Sequence, residues 1–578
     1  MKPSRQEIKL GSALYLAIFV LAVLLRFVHL GTFPLTDEEA LAALRAASDT
    51  NHASVFFVEP SNVITQPAYE FLTSFVFQIF GANDFLARFF PALAGALLVL
   101  TPLLAKNTFG YGQTVIMGFL LAVCPVFVTI SRTGSGISLA ALGAMSFILG
   151  ILGLSEQNSS RNSIIAGSGL GLCFASGPFI YTFILSLGIS LILWKLVDSQ
   201  SHKELWVNLF PVGHASQISW IAAASLLVFA TGLGLSINGV AGLFDSIAYW
   251  LRSWSLGSPF GSMTLLAMIP VYSPVLLMLG VFGCWTSIRT RDRVGAGAAI
   301  LAFVGMLVVI ILPGRQPHDL VWVALPLAFV ASRYLVSFTR YLFEGRINLW
   351  VVAIVAMIVL FAFMMYLQFS SFSNQDQLID PVATWMTLLI FLALVITIIS
   401  FFGLGWDWTS AKLSVILASL ILASLLGIQG LSQLNFSSHI LSASELWRNE
   451  VPSGGLALML DTIKTTSQMA TGTDHEVDIE IIGAAPTSLI WALRDFQPSD
   501  RVSLDDRGSS VVLIRKSGTD LSLEDDYIGQ TIAIGEEWGW DSALPPELLK
   551  WWVKRQPPIV LDEWLILIRQ DIAYLGEE

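Results

Sequence analysis

The sequence predicts a polytopic α-helical membrane protein of about 13 transmembrane helices, followed by a C-terminal soluble α/β domain. Of its 578 residues, 55% are hydrophobic and only 13% are charged, whereas about a quarter of the residues of an ordinary soluble domain are charged. The mean hydropathy is +0.71. Apolar runs long enough to cross a bilayer recur from residue 10 to residue 432.

We assign residues 1–435 to the membrane domain and residues 436–578 to the soluble domain. Gly177-Pro178 interrupts one long apolar run, and we divide that run into two helices because proline ends or kinks a helix. A single kinked helix is the alternative. With a cytoplasmic N-terminus, the division places most Lys and Arg residues of the short loops inside, as the positive-inside rule requires. The predicted spans lie near residues 10–30, 85–105, 112–131, 136–154, 163–177, 178–196, 218–236, 263–283, 293–313, 319–338, 347–369, 383–403 and 412–432.

The C-terminal part differs from the rest in charge and pattern. From Leu441 onwards it has 24 acidic and 11 basic residues, against 18 acidic and 20 basic residues before it. Past Leu434, short apolar runs alternate with Gly, Pro, Ser and Asp clusters, a pattern typical of a small α/β domain. The predicted topology places this domain on the extracytoplasmic side of the membrane.

A long outer loop, residues 31–84, contains the adjacent carboxylates of Asp37, Glu38 and Glu39. Because charges are costly in hydrocarbon, this cluster belongs at the water interface, where it can do acid, base or metal chemistry. Alternatively the three acids only stabilise the first turn of a helix over Glu38–Ala47, with Thr36 as its N-cap. We expect this helix and a second amphipathic piece, Pro67–Phe80, to lie along the membrane surface or partly re-enter it.

Further motifs stand in a fixed order along the chain. They are Gln66-Pro67-Ala-Tyr69, Phe80-Gly-Ala-Asn-Asp-Phe-Leu-Ala-Arg88-Phe-Phe-Pro91, Ile130-Ser-Arg132-Thr-Gly and Pro313-Gly-Arg315-Gln-Pro-His318. With the acidic loop, they resemble the C-type glycosyltransferase (GT-C) superfamily, most closely its protein O-mannosyltransferase and aminoarabinose transferase branch. The resemblance covers residues 1–150 well, is weak through the later spans and returns near Pro313.

This resemblance implies a GT-C-like enzyme of the cell (inner) membrane. Such an enzyme transfers a sugar from a polyprenyl-phosphate donor to a glycan, lipid or protein acceptor at the extracytoplasmic face, usually with inversion. The alternatives are a transporter or flippase of lipid-linked sugars and a catalytically silent GT-C-like subunit. The sequence has no nucleotide-binding loop and no basic tract, so it predicts no binding of nucleic acid.

The resemblance makes Asp37 the catalytic base, with Glu38 beside it. A hydroxyl group is a poor nucleophile, and a carboxylate within hydrogen-bond reach can take its proton. The leaving phosphate gains negative charge, which calls for cationic donors. Arg132 and Arg315 are the candidates because an arginine fork suits phosphate oxygens, and His318 can assist them. Either arginine can alternatively anchor its helix end at the headgroup level.

The substrate pocket is predicted to include Glu39, Gln66, Tyr69 and Arg88. We expect Arg88 to act structurally as well, by pairing with an acidic residue of the long loop and holding that loop in place. The outer loop Asn238–Ser262 mixes aromatic and polar residues that suit a sugar, although general considerations favour an interfacial aromatic belt.

Two departures from the family pattern concern cofactors and activity. Many members carry His-Pro where this chain has Gln66-Pro67, and some place an Asp shortly after the arginine that corresponds to Arg132. The first change removes a metal ligand. The three cysteines, Cys124, Cys173 and Cys284, lie in apolar stretches without metal-ligand spacing. We therefore expect no cofactor, and the sequence does not support a divalent metal.

Overall fold

The computed structural model describes most of the chain. The residues outside its description are 1–4, 49–63, 157–159, 198–211, 235–237, 344–347, 374–380, 406, 437–442, 497–498, 502–509, 518–526, 540–550, 553 and 574–578. The middle of the predicted outer loop and residues 437–442, just after the predicted domain boundary at 435/436, thus lie outside the described residues.

The described part of residues 1–435 is almost entirely helical. Two short 3-10 helices, Thr101–Ala105 and Pro317–Leu320, accompany the α-helices. The α-helices are α1 Arg5–Phe27, α2 Asp37–Ser48, α3 Pro67–Phe80, α4 Asp84–Leu98, α5 Lys106–Phe109, α6 Tyr111–Val123, α7 Pro125–Ser131, α8 Ile137–Glu156, α9 Ser160–Ala175, α10 Phe179–Val197, α11 Val212–Thr231, α12 Asn238–Arg252, α13 Ser262–Tyr272, α14 Pro274–Arg289, α15 Arg293–Ile311, α16 Val321–Phe343, α17 Leu349–Ser373, α18 Pro381–Gly405 and α19 Trp408–Asn435.

Eight helical segments within the described residues are long and apolar enough to cross a membrane. The count rises to ten if each of two bent pairs forms one span: α6 with α7, bent by 57°, and α13 with α14, bent by 96°. Proline at the start of α7 and α14 explains both breaks, since it lacks the N–H that would continue the preceding helix. The chain is therefore a multi-pass membrane protein, and the number of thirteen spans stays a prediction.

The division at Gly177-Pro178 is confirmed, because α9 ends at Ala175 and α10 begins at Phe179. Gly177 has a φ of +102°, a conformation that residues with a side chain rarely adopt. The two short helices predicted in the outer loop are also present, as α2 and α3. Asn83 caps the next helix, α4, by accepting a hydrogen bond from the Leu86 N–H.

The C-terminal part forms a six-stranded mixed sheet with helices on it. Its strands are β1 Glu450–Pro452, β2 Ile479–Ile482, β3 Ser499–Arg501, β4 Val512–Lys516, β5 Tyr527–Trp538 and β6 Ile559–Arg569, in the order β1-β5-β6-β4-β2-β3. The strand β2 runs parallel to β3 and β4, and the other pairs are antiparallel. The helices are α20 Gly454–Thr471, α21 Thr487–Ala492 and α22 Gln570–Ala573.

A separate apolar core supports this sheet. Leu456, Met459 and Ile463 of α20 pack against strand residues such as Ile514 and Trp564. The short apolar runs of the sequence are thus strands that pack on a common core, as expected of a folded α/β domain. Its first strand, β1, follows α19 closely, so the sheet begins beside the end of the membrane domain.

Candidate active site

The acidic motif begins helix α2, and one of its three carboxylates caps that helix. Glu39 Oε2 accepts hydrogen bonds from the Thr36 backbone N–H at 3.0 Å and from the Thr36 hydroxyl at 3.2 Å. A carboxylate at the third helical position that satisfies the backbone N–H before the helix is half of a capping box. The capping interpretation of the motif therefore holds for Glu39.

Glu39 and Arg88 form a buried, two-pronged ion pair. Arg88 Nε lies 2.9 Å from Glu39 Oε1, and Arg88 Nη2 lies 2.6 Å from Glu39 Oε2. The Gly134 N–H also donates to Glu39, over 2.7 Å. Burial alone would raise the pKa of Glu39, but the Arg88 charge and these hydrogen bonds lower that pKa to about 2. The Glu39 carboxylate is thus held in its ionised form, and both of its oxygens accept hydrogen bonds from within the protein.

Arg88 fixes the preceding loop as well. Its guanidinium donates to the carbonyl oxygens of Leu30, Phe33 and Pro34, at 3.3, 2.7 and 3.1 Å. These three residues lie between α1 and α2. The expected pairing of Arg88 with an acidic residue of the long loop is therefore confirmed, and it sets the position from which Asp37 and Glu38 project.

Asp37 contacts the C-terminal domain at the start of α21. Asp37 Oδ1 accepts the Ser488 backbone N–H at 2.7 Å, and the Asp37 carbonyl accepts the Thr487 hydroxyl at 2.6 Å. The side chain of Asp37 stays partly exposed. Asp37 therefore lies at the junction of the two parts of the chain, with its carboxylate oriented by a backbone donor.

Helix α21 is anchored to the membrane domain through Trp491, which is buried. Its indole N–H donates to Asp84 Oδ1 at 2.7 Å, and its ring packs against Phe77 with 5.9 Å between centroids. Arg494 adds a bond of 3.3 Å to the Ala82 carbonyl. The contact thus joins α21 to α3 and to the start of α4, as well as to Asp37.

Glu450 approaches Asp37 from the same domain. It stands on β1, opposite Glu537 of β5. Although Glu450 keeps contact with solvent, desolvation raises its pKa, and the charges of Asp37 and Glu537 raise it further, to about 7. A carboxyl group of the C-terminal domain therefore lies close enough to the acidic motif to feel its charge.

Glu38 points elsewhere. Its side chain is exposed to solvent, yet desolvation by the surrounding protein raises its pKa, and the charges of Glu39 and Asp37 add to this effect. The same charge reaches Tyr249 of α12: burial, then Glu38, then Asp319 raise the pKa of this phenol to about 12.

Tyr249 is thus near both the acidic motif and Asp319, which follows the segment Pro313–His318. The Gly314 N–H donates to the carbonyl oxygen of Ser253, just after α12, over 2.8 Å. This bond holds the segment Pro313–His318 in place. Asp319 caps the 3-10 helix Pro317–Leu320 by accepting the Gln316 N–H at 3.0 Å. The two regions that the resemblance singled out, although distant in sequence, lie in one neighbourhood.

Arg315 keeps part of its guanidinium available. Its Nε donates to the Phe260 carbonyl, and its Nη1 donates to the Ser262 hydroxyl and the Ile310 carbonyl. Among the described residues, no hydrogen bond is formed by Nη2. His318 is partly exposed and lies edge-on to Phe179, with 4.8 Å between ring centroids. Phosphate binding by Arg315 and His318 stays a prediction, and it suits this geometry.

Arg132 is used differently. Its Nη1 and Nη2 donate to the carbonyl oxygens of Leu25, Arg26, Val28 and His29 at the end of α1, over 2.8 to 3.2 Å. Its guanidinium also lies 4.8 Å from the centroid of the Phe436 ring. The orphan carbonyls of a helix end need such donors. Phosphate binding by Arg132 stays a prediction, and the geometry favours its alternative role as a helix anchor.

Gln66 and Tyr69 are buried, and their place in the substrate pocket stays a prediction. Gln66 Oε1 accepts the Gly136 N–H at 2.5 Å, and the Tyr69 hydroxyl donates to the Ala87 carbonyl at 2.9 Å. Tyr69 has no exposed surface. Their polar atoms fix α3 against α4 and α8, so they support the motif from behind.

A cavity of about 40 Å³ lies behind the acidic motif. Its wall includes Glu39, Arg88, Arg132, Asn435 and Arg448. The expectation that Glu39 and Arg88 border a pocket agrees with this position. Within the described part of the chain, no group of three or more His, Cys, Asp or Glu side chains is arranged to hold a metal ion.

Sequence reasoning missed the residues that the C-terminal domain brings to Asp37, namely Thr487 and Ser488. Their contact with Asp37 spans more than 400 positions, and the two bonds use a common hydroxyl and a backbone N–H. No local spacing marks such residues. The aromatic loop after residue 238 was recognised, and the structure adds that Trp250 packs on Tyr181 and donates to Thr182.

Comparisons with known proteins agree with this architecture. Residues 65–220 match the family described as dolichyl-phosphate-mannose-protein mannosyltransferase. That segment includes Gln66, Arg88 and Arg132. The curated proteins contain no significant match to the sequence.

Two solved structures of ArnT from Cupriavidus metallidurans have a similar fold. The one bound to undecaprenyl phosphate is 14% identical, covers 89% of this chain and 94% of its own, and has a TM-score of 0.53. The apo structure is 15% identical, covers 84% of each chain, and has a TM-score of 0.50. The predicted GT-C-like fold, membrane helices followed by a sheet domain, is thereby confirmed.

Proposed function

We propose that this chain is an integral-membrane glycosyltransferase of the C-type superfamily, a proposal that the family match over residues 65–220 and the ArnT-like fold support. It takes a sugar from a polyprenyl-phosphate donor and transfers that sugar to a glycan, lipid or protein acceptor. The similar structure of ArnT holds undecaprenyl phosphate, which is a donor carrier of this class. A transporter or flippase, the main alternative, is not favoured by these comparisons.

One observation carries the proposal: of the three motif carboxylates, two are accessible. Glu39 is buried and paired with Arg88, whereas Asp37 is partly exposed and Glu38 is exposed. An enzyme that activates a hydroxyl group needs a carboxylate that its substrate can reach. Asp37 and Glu38 meet that condition on a support that Glu39 and Arg88 make rigid.

The chemistry follows from this arrangement. Asp37 takes the proton of the acceptor hydroxyl as its oxygen forms a bond to the anomeric carbon. The bond from that carbon to the phosphate oxygen breaks, and its electron pair leaves with the polyprenyl phosphate. Attack opposite the leaving group inverts the anomeric carbon. Arg315 Nη2 is our candidate for stabilising the charge on the phosphate, and His318, three positions further along the same segment, can assist it.

The proposed reaction uses no cofactor, because the activated lipid donor supplies the free energy. Gln66 supports this proposal, since it replaces the histidine of many family members and its Oε1 is bound to the Gly136 N–H. We further propose an inner-membrane location, with the N-terminus in the cytoplasm and the acidic motif and C-terminal domain outside.

Transfer in proteoliposomes tests the proposal. The protein is supplied with a mixed set of polyprenyl-phosphate sugars and acceptors, and the release of free polyprenyl phosphate is measured. We expect release that needs an acceptor and is lost in Asp37→Asn. The control is Asp461→Asn, which changes an exposed carboxylate of α20. No acceptor-dependent release from any donor class would overturn the proposal.

A further inference from the structure

Helix α13 begins at the residues that hold Arg315. The hydroxyl oxygen of Ser262, the first residue of the helix, accepts a hydrogen bond from Arg315 Nη1 at 2.8 Å. Just before the helix, the Phe260 carbonyl accepts one from Arg315 Nε at 3.0 Å. The helix also packs against the 3-10 helix Pro317–Leu320, which contains His318. The start of α13 therefore determines where the Arg315 guanidinium lies.

The other end of α13 is bound to the C-terminal domain. The hydroxyl of Tyr272, the last residue of the helix, donates to Glu445 Oε2 at 2.7 Å and accepts the Leu446 backbone N–H at 2.8 Å. Its ring lies edge-on to Trp447, with 6.4 Å between ring centroids. Tyr272 has no exposed surface. Its hydroxyl thus both donates to and accepts from the segment that leads into β1.

Glu445 is itself held in place by a buried ion pair. Arg555 Nη1 lies 3.0 Å from Glu445 Oε2, and each side chain is only 4% exposed. The Arg555 guanidinium lies 4.5 Å from the centroid of the Trp551 ring, and the indole N–H of Trp551 donates to the Ser444 carbonyl at 2.7 Å. Breaking a buried pair by removing one partner is costly. The oxygen that receives the Tyr272 hydroxyl therefore has a fixed position.

Between its two ends, α13 is packed along one face. This face consists of four residues at helical spacing that have no exposed surface: Leu265, Met268, Ile269 and Tyr272. The helix has 11 residues and therefore spans about 16 Å at 1.5 Å per residue. Close-packed side chains transmit a displacement instead of absorbing it. A shift at Tyr272 should therefore move Ser262 and, with it, Arg315.

We propose that Tyr272 is a positioning residue for donor binding, which holds Arg315 at the donor phosphate by fixing α13 to the Glu445–Arg555 pair of the C-terminal domain. The inference rests on the proposed function, in which Arg315 Nη2 stabilises the charge on the phosphate. It gives the C-terminal domain a part in donor binding, in addition to its contact with Asp37. Tyr272 acts only through α13, since its side chain lies inside the protein.

A double-mutant cycle on donor affinity tests the inference. The binding of undecaprenyl phosphate to the full-length protein in lipid nanodiscs is measured for Tyr272→Phe, Arg315→Ala and the double variant. Phenylalanine keeps the buried ring and removes only the hydroxyl. We expect Tyr272→Phe to weaken binding about three- to tenfold and to change the acceptor KM by less than about twofold. In the Arg315→Ala background the same change should alter donor affinity by less than about twofold.

Tyr15→Phe is the matched control. The Tyr15 hydroxyl donates to the Val99 carbonyl at 2.6 Å from a buried position on α1. The control therefore removes a comparable hydrogen bond that does not involve α13. We expect a similar loss of thermal stability in the two phenylalanine variants, with a donor affinity in Tyr15→Phe within about twofold of the wild type. A merely structural role of Tyr272 would give the same result for both.

Two outcomes would overturn the inference: unchanged donor affinity in Tyr272→Phe, or an equal loss of affinity with and without Arg315. Neither affects the proposed function as long as acceptor-dependent release still requires Asp37. That function fails separately, if the wild type shows no acceptor-dependent release. If Tyr272→Phe does not fold, Glu445→Gln takes its place in the cycle, because it weakens the same contact from the other side, and the same outcomes decide.

Discussion

Ser488 donates its backbone N–H to Asp37 Oδ1 across 2.7 Å, although the two residues are 451 positions apart in the chain. A backbone donor cannot be removed by changing its own side chain, and it holds a carboxylate in one orientation. The orientation of the Asp37 carboxylate therefore depends on the position of α21. Whatever displaces α21 from the membrane domain should also disturb Asp37.

Trp491 is the residue whose loss should displace α21. In Trp491→Ala the packing on Phe77 and the bond to Asp84 both disappear, and truncating a buried tryptophan costs about 3–5 kcal/mol. We expect faster hydrogen exchange of the α2 amides and lower turnover. Trp491→Phe keeps the ring and loses only the bond to Asp84, so its effect should be near 1 kcal/mol. Unchanged α2 exchange in the alanine variant would contradict the coupling.

Arg88 should matter for stability rather than for binding. Arg88→Ala leaves the buried Glu39 carboxylate without its cation, and breaking a buried pair in this way costs about 3–5 kcal/mol. The thermal unfolding temperature should fall clearly. Arg569→Ala removes an exposed pair with Asp571 and should cost about 0–1 kcal/mol. Equal shifts in the two variants would show that the Glu39 pair contributes little.

Glu39 should make the fold sensitive to acid. Because its pKa is lowered to about 2, while a free glutamate titrates near about 4.3, the ionised form stabilises the fold above that higher value. This contribution is lost as the pH falls from about 4 towards 2. Glu39→Gln should unfold at a lower temperature at pH 7 but show a flatter stability curve between about pH 4 and 2. A curve that parallels the wild type would refute this assignment.

The two roles considered for Arg132, helix anchor and phosphate ligand, can be separated by measurement. If it anchors the end of α1, Arg132→Ala should lower the unfolding temperature while the donor affinity, measured on the folded fraction, changes by less than about threefold. Arg132→Lys should recover little, because one ammonium cannot reach four carbonyl oxygens in the manner of the guanidinium. A much weaker donor affinity at unchanged stability would restore the predicted phosphate contact.

Short sequence signals predict the ends and breaks of helices and the position of the acidic motif. Pro67 and the glycine after Phe80 mark α3 at both ends, and Gly177-Pro178 marks the break between α9 and α10. The acidic motif was recognised because three carboxylates at the end of an apolar run are unusual in a membrane protein. Each of these signals lies within a few residues of the structure that it predicts.

Tertiary contacts account for what the sequence did not reveal. Arg132 has the side chain and the predicted position expected of a phosphate ligand. Only the structure shows that its N–H groups point to the end of α1. Glu450 begins a three-residue strand that no local pattern marks, and its position near the acidic motif depends on where β1 lies. A single sequence contains no record of which distant segments meet, so the two-domain nature of the site could not be predicted.

The most direct measurement compares Asp37→Asn with the wild type in single-turnover transfer, alongside the equilibrium affinity for the polyprenyl-phosphate donor. The asparagine keeps an oxygen for the Ser488 N–H but cannot accept the acceptor's proton. We predict donor affinity within about threefold of the wild type and a rate of transfer lowered by roughly 100-fold or more, the usual contribution of a general base. A rate of transfer close to that of the wild type would contradict the assignment of Asp37 as the base.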